Sequence, residues 1–185
     1  MPVRVLPRPG VTRDDATHLA AHNGWQYHDM FLADGQQPFE KIWLAQDGTA
    51  SVHWIEDRVI DLDYFAVQGD DPGPVVDAIR AGVPTYDRAQ LAGEMEAAEH
   101  WDELLRALYR VAAAAPPEYD PQVFDWLARG FGDEHPTVRR MTAVLTSYLG
   151  WPELRAPLER LTRDEDVETR EVAHRMLQRL PPARA

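Results

Sequence analysis

Residues 121–150, PQVFDWLARGFGDEHPTVRRMTAVLTSYLG, and residues 152–181, PELRAPLERLTRDEDVETREVAHRMLQRLP, align without a gap at an offset of 31. Pro121 falls on Pro152, Leu127 on Leu158 and Arg129 on Arg160; Asp133 and Glu134 fall on Asp164 and Glu165, Arg139 on Arg170, and Leu149 on Leu180. Val123/Leu154 and Met141/Val172 are apolar matches. The shared positions are those a helical hairpin needs. Proline opens each unit, where its missing N–H costs nothing. An acidic pair near each turn stands ready to accept from the free N–H groups of the second helix.

Helical periodicity supports the same reading. Trp101, Leu104, Leu105, Leu108 and Val111 form one stripe on a helix expected at 96–114. Val123, Leu127 and Phe131 lead into Val138, Met141, Leu145 and Tyr148, and Leu154, Leu158 and Leu161 lead into Val172, Met176, Leu177 and Leu180. Proline pairs at 116–117 and 181–182 end the flanking helices. The spacing Leu158-x-x-Leu161-x-x-Asp164, followed by Arg170 and Ala173, resembles the HEAT repeat family; the first unit carries Gly130 and Thr142 at the positions of Leu161 and Ala173. The resemblance covers about residues 96–181 and implies a short α-solenoid of stacked antiparallel helix pairs. Proteins of this kind serve mostly as interaction scaffolds, and some bind or repair DNA.

The first half has a different pattern. Thr12-Arg13-Asp14-Asp15 resembles a capping box, opening a helix that Gly24 closes. Residues 39–46 and 49–55 flank Asp47-Gly48, a tight-turn signal, so a two-residue hairpin register sets Trp43 against Val52 and Lys41 against Trp54. A third strand is expected at 59–67 and a helix at 74–82, with a junction near 84–90. The expected fold is therefore α+β: residues 1–90 form a small domain with a three-stranded antiparallel sheet and helices, and residues 91–185 form a HEAT-like helical repeat domain.

The 185 residues contain no cysteine, which removes disulfides and thiolate metal sites. No run approaches the roughly 18 apolar residues of a membrane span, and the N-terminus lacks the apolar segment of a secretory signal. Cytoplasmic residence is the expectation. Lys41 is the single lysine beside 18 arginines, a balance that GC-rich codons favour and that points to a bacterial source. Net charge is −12, with 14 acidic and 7 basic groups in residues 1–90 and 17 and 12 in the remainder. Such an excess opposes tracking of a phosphate backbone and favours attraction to a basic partner.

Three groups of residues are candidate sites. His18 and His22 are four apart on a helix with Asp14 on the same face, a spacing that lets two imidazoles share one metal, although the glutamate of a zincin motif is absent. His28 and His53 are possible additional members. The second group is Glu56, Asp57, Asp61, Asp63, Asp70 and Asp71. Asp61 and Asp63 would share one strand face, suited to a divalent cation, to acid/base work or, with Trp54 and Phe65, to partner recognition by aromatic anchors ringed with charge. A solvated sheet face accounts for the same pattern. The third group, Glu94, Glu96, Glu99, Asp102 and Glu103, suits a helix N-terminus and is assigned to structure, as are Asp133, Arg139, Asp164 and Arg170. Ser51 and Ser147 are the only serines, and neither lies in a nucleophile motif; no phosphate-binding loop is present.

The leading expectation is a non-catalytic binding protein that engages a basic protein through an acidic surface, as an inhibitor, immunity-type protein or adaptor, with no cofactor. The assigned partner-binding residues are Trp54, Asp57, Asp61, Asp63, Phe65, Asp70 and Asp71. The alternatives are a metal-dependent enzyme using the histidines with Asp57, Asp61 or Asp63, and a nucleic-acid-binding protein using Arg139, Arg140, Arg155, Arg160 and Arg163.

Overall fold

Phe39–Leu44 and Ala50–Asp57 alternate apolar and polar residues, and the turn between them sets which side chains share a face. A computed structural model describes residues 1–35, 37–45 and 48–181 of the chain. Asp47, half of the expected turn, lies outside the described residues. Gly48 adopts φ +69, a left-handed conformation that glycine enters without steric cost, and its N–H donates to the Ala45 carbonyl at 2.9 Å. The pairing follows the register read from the sequence: Trp43 faces Val52 and Lys41 faces Trp54.

The chain divides into two compact units, Met1–Asp87 and Arg88–Ala185. Together they make a mixed α+β protein with one five-stranded antiparallel sheet and eight α-helices among the described residues. The first unit runs β1 (Val3–Val5), α1 (Arg13–His22), β2 (Gln26–Phe31), β3 (Phe39–Leu44), β4 (Ala50–Asp57), β5 (Leu62–Gly69) and α2 (Gly73–Gly82). The spatial order is β1-β5-β4-β3-β2, so the expected three-stranded sheet is the centre of a larger one. The two added strands lack a readable alternation. β1 is three residues long, and β2 has every residue exposed and a register shift between Tyr27 and Asp29. The expected strand at 59–67 begins instead at Leu62, because Val59–Asp61 turn the chain. The Asp57 carboxylate accepts from the Val59 N–H at 2.8 Å, and Asp61 adopts φ +51.

One face of the sheet is covered by α1 and α2. Phe39, Trp43, Val52, Trp54, Phe65 and Val67 pack with Leu19 and Ala20 of α1 and Val75, Val76 and Ile79 of α2. Trp54 meets Phe65 edge to face, ring centroids 5.0 Å apart. Helix α1 starts at a capping box in which Thr12 and Asp15 satisfy each other's amides. Gly82 lets Leu19 approach closely, since a Cβ there would lie 2.2 Å from Leu19 Cδ1.

The second unit is all-helical among the described residues: α3 (Arg88–Ala97), α4 (Trp101–Ala114), α5 (Pro121–Phe131), α6 (Pro136–Leu149), a 3-10 turn at Pro152–Leu154, α7 (Arg155–Leu161) and α8 (Val167–Arg179). The single helix expected at 96–114 is two. Its break is built by Glu103, which accepts from the N–H groups of Glu99 and His100 at 3.1 and 3.3 Å. Arg129 closes the other side by donating to the Met95 and Ala98 carbonyls at 2.5 and 2.7 Å. No helix of the described residues is long and apolar enough to cross a membrane.

The 31-residue offset reappears as hydrogen bonding. Arg139 Nη1 donates to the carbonyls of Asp133 and Glu134 (2.9 and 2.8 Å), and Arg170 Nη1 donates to those of Asp164 and Glu165 (2.7 and 3.0 Å). Arg139 also grips Asp164 with two bonds of 2.7 and 2.8 Å, joining the α5–α6 turn to the α7–α8 turn. The acidic pairs do not cap the second helices, as the sequence implied. His135 and Asp166 hold the cap positions, while Asp133 and Asp164 accept from the N–H groups of those cap residues. Gly130 and Thr142, the unmatched positions of the first repeat (121–150), fit each other: a Cβ at Gly130 would lie 2.4 Å from Thr142 Oγ1 and 2.6 Å from Leu108 Cδ1. The corresponding residues of the second repeat (152–181) reverse the sizes, Leu161 and Ala173, both buried.

Three outcomes are expected. Arg139→Ala strands a buried carboxylate and two carbonyls, and urea unfolding should show a loss of about 3–5 kcal/mol. The guanidinium holds the Asp164 carboxyl below its ordinary range, so the stabilisation is complete above that range and disappears as pH falls through the lowered folded value. Asp164→Asn should therefore flatten the acid limb of the stability profile. Gly130→Ala should cost about 1–3 kcal/mol by overpacking, although helix propensity alone favours alanine by about 1 kcal/mol.

Candidate functional site

Strand β2 forms one edge of the sheet and, among the described residues, pairs only with β3. Tyr27, Met30 and Phe31 are 61%, 43% and 45% exposed, and Leu32 beyond the strand is 71% exposed. The register skips His28, a bulge that places Tyr27 and Met30 opposite Trp43 and Lys41, and Asp29 and Phe31 opposite Ile42 and Glu40. Side chains on both faces of this edge are therefore solvent-accessible. The opposite edge, β1, is only three residues long, which is one of the ways proteins blunt an edge; inward charge, lysine and proline are others. Besides its bulge β2 carries one charged residue, Asp29, and neither lysine nor proline. No lysine or arginine occurs between Arg13 and Lys41, while Asp14, Asp15, Asp29, Asp34 and Glu40 fall in that stretch.

The assigned partner-binding residues do not form one surface. Trp54 and Phe65 are fully buried against each other, and this corrects their assignment as recognition anchors: alternation along β4 and β5 points them into the core. Asp57 is buried and engaged by the Val59 N–H. Asp61 stands in the β4–β5 turn with its side chain 90% exposed, 3.9 Å from Arg58, so it does not share a strand face with Asp63. Asp63 lies opposite Glu56, and burial, with the Glu56 charge next in weight, raises its carboxyl above the usual range. Arg13 holds Glu56 by two bonds of 2.8 and 2.9 Å and lowers its pKa. Asp70 and Asp71 are exposed past the far end of β5. The rise of an eight-residue strand puts them roughly 25 Å from Asp61.

His18 and His22 line a groove of about 670 Å³ with Arg8, Asp15 and Leu19. Asp15 is committed to the α1 cap, and no group of three His, Asp or Glu among the described residues is placed to hold a metal ion. His28 sits in the β2 bulge, and His53 belongs to a separate cluster on β3 and β4. Ser51 Oγ lies 2.8 Å from His53 Nε2, and His53 Nδ1 lies 2.7 Å from Glu40 Oε1. An ionised Glu40 requires the proton on Nδ1, leaving Nε2 to accept from the serine. This connectivity matches that of a nucleophile, base and orienting acid. Yet β4 runs between β3 and β5, and its amides serve those two ladders, so its own backbone supplies no oxyanion hole. The cluster acts as a cross-strand tie. The hairpin register carried its signal: Glu40 pairs with Ile55, diagonal to His53.

In the helical unit, Arg139 and Arg140 face Asp164 and Glu168, and Arg155 donates to the carbonyls of Leu180 and Pro181. Of the five arginines of the expected basic stripe, only Arg160 and Arg163 have side chains without such a bond among the described residues. Comparison with protein-family models, with curated proteins and with solved structures found no match.

If the Ser51–His53–Glu40 cluster is a tie, Glu40→Gln should lower stability by up to about 1 kcal/mol. Intact-mass analysis after treatment with a fluorophosphonate should show Ser51 unmodified; stoichiometric labelling would make it a nucleophile.

Proposed function

We propose that the protein is a non-catalytic binding protein that engages a basic protein partner, and that strand β2 is the centre of its contact surface. The observation that carries this is the exposure of Tyr27, Met30, Phe31 and Leu32 on an edge strand. Exposed apolar groups gathered along one edge strand, Tyr27 and Met30 on one face and Phe31 on the other, suit an interaction surface that uses both faces, and aromatic residues are favoured as energetic centres of such surfaces. The partner's charge follows from the −12 of the chain and from the cation-free stretch that contains β2. Complementary fields of that size speed encounter and exclude acidic competitors. Asp61, Asp70 and Asp71 contribute long-range attraction in this reading, without contact. Cytoplasmic residence is part of the reading.

The second unit fits it as a short HEAT-like scaffold. The support is the recurrence of Arg139 and Arg170 with their carbonyl acceptors at an interval of 31 residues, together with the helix pairs α5–α6 and α7–α8.

The test is parallel affinity capture from a lysate of the source organism with the wild-type chain and with Tyr27→Ser/Phe31→Ser as baits. A basic protein should bind the wild type in low salt, elute as salt rises towards about 1 M, where the screening length falls to about 3 Å, and be missing from the double variant. Capture that is insensitive to both salt and the double substitution would overturn the proposal.

A further inference from the structure

We infer that the partner docks by adding a β-strand to β2, presenting an extended segment in which basic and apolar side chains alternate. The inference rests on the binding reading above and specifies its geometry. A strand at a sheet edge presents an outward row of N–H and C=O groups. Apart from the Met30 N–H, from which Asp29 Oδ1 accepts and which an incoming strand must take over, those of β2 have no partner among the described residues, since its ladder runs to β3 alone. Six residues give an edge of roughly 20 Å, enough for a six-residue incoming strand. Main-chain bonds supply affinity in this mode, and alternate side chains supply specificity.

The side chains of β2 define that alternation. Tyr27 and Met30 stand on the face shared with Trp43 and Lys41, where an incoming strand meets an apolar surface. Asp29 stands on the other face, next to Phe31 and opposite Ile42, where a lysine or arginine gains a carboxylate and an aromatic ring. Asp29 is exposed, and its Oδ1 accepts from the Met30 N–H at 2.8 Å, which leaves its second oxygen to face solvent. A second copy of the chain fits the edge less well. It would bring a further −12 to the interface and set carboxylates of the same stretch against one another. Charge complementarity therefore selects a basic strand.

The test uses the full chain labelled with ¹⁵N and a synthetic peptide, acetyl-Lys-Val-Arg-Ile-Lys-Val-Arg-Thr-amide, with a control N-methylated at alternate residues so that one edge cannot donate. Hydrogen exchange of the amides of residues 26–31 is followed at low salt. The expected result is at least a tenfold slowing of exchange at the outward-facing amides of β2 with the parent peptide, none with the N-methylated one, and at least tenfold weaker binding by Asp29→Lys. Peptide binding that leaves the β2 amides unprotected would overturn the strand geometry while leaving the basic-partner reading intact. No binding at millimolar peptide would likewise overturn the strand inference, and the capture experiment would then judge the broader reading alone. Protection of β2 without peptide that grows with protein concentration, together with a dimer in light scattering, would assign the edge to a second copy and refute the inference.

Discussion

The pairing of Trp43 with Val52 and Lys41 with Trp54 is the constraint on which the first unit depends. A slip of one residue would turn Trp54 and Val52 outward and expose Ile55 and His53 to the helices in their place. The chosen register buries Phe39, Trp43, Val52 and Trp54 under α1 and α2 and puts Glu40, Ser51 and His53 together on the other face. It also decides what β3 offers to β2. Because β3 presents Trp43 and Lys41 on one side and Ile42 and Glu40 on the other, the bulge at His28 is what keeps Tyr27 and Met30 on a common face.

The helical unit is held by a different economy. Arginine forks satisfy the carbonyls and carboxylates at the turns, and complementary sizes fill the spaces between helices. Arg139 alone reaches Asp133, Glu134 and Asp164, with its side chain 10% and that of Asp164 6% exposed. A buried charge pair of this kind fixes geometry more than it adds net stability. Gly130 beside Thr142 shows the same concern for fit: the position that departs from the repeat pattern is the one where the neighbouring side chain is larger.

The parts of the fold that were legible from sequence were those with a strong local period. The β3–β4 register followed from alternation and a glycine turn, and the helix pairs followed from apolar spacing and prolines. What escaped had no period to read. Strand β2 is exposed throughout and interrupted by a bulge, so QYHDMF carries neither alternation nor burial. The break between α3 and α4 depends on Arg129, a residue 31 positions away from Ala98. The candidate site suffered most. Trp54 and Phe65 looked like anchors because aromatic side chains beside carboxylates fit an interface and a core equally well in one dimension. Asp61 looked like a strand residue because the Asp57 turn that displaces it is a side-chain bond to a backbone amide.

Lys41 carries the only ε-amine of the chain, and the fold has employed it: Nζ donates to Thr17 Oγ1 at 2.9 Å and lies 5.2 Å from the Trp43 ring centroid. Among the side chains, amine-directed chemistry thus has one address, this engaged lysine. The protein is in effect a single-handle molecule, one that can be fixed to a support or fitted with a reporter in one orientation.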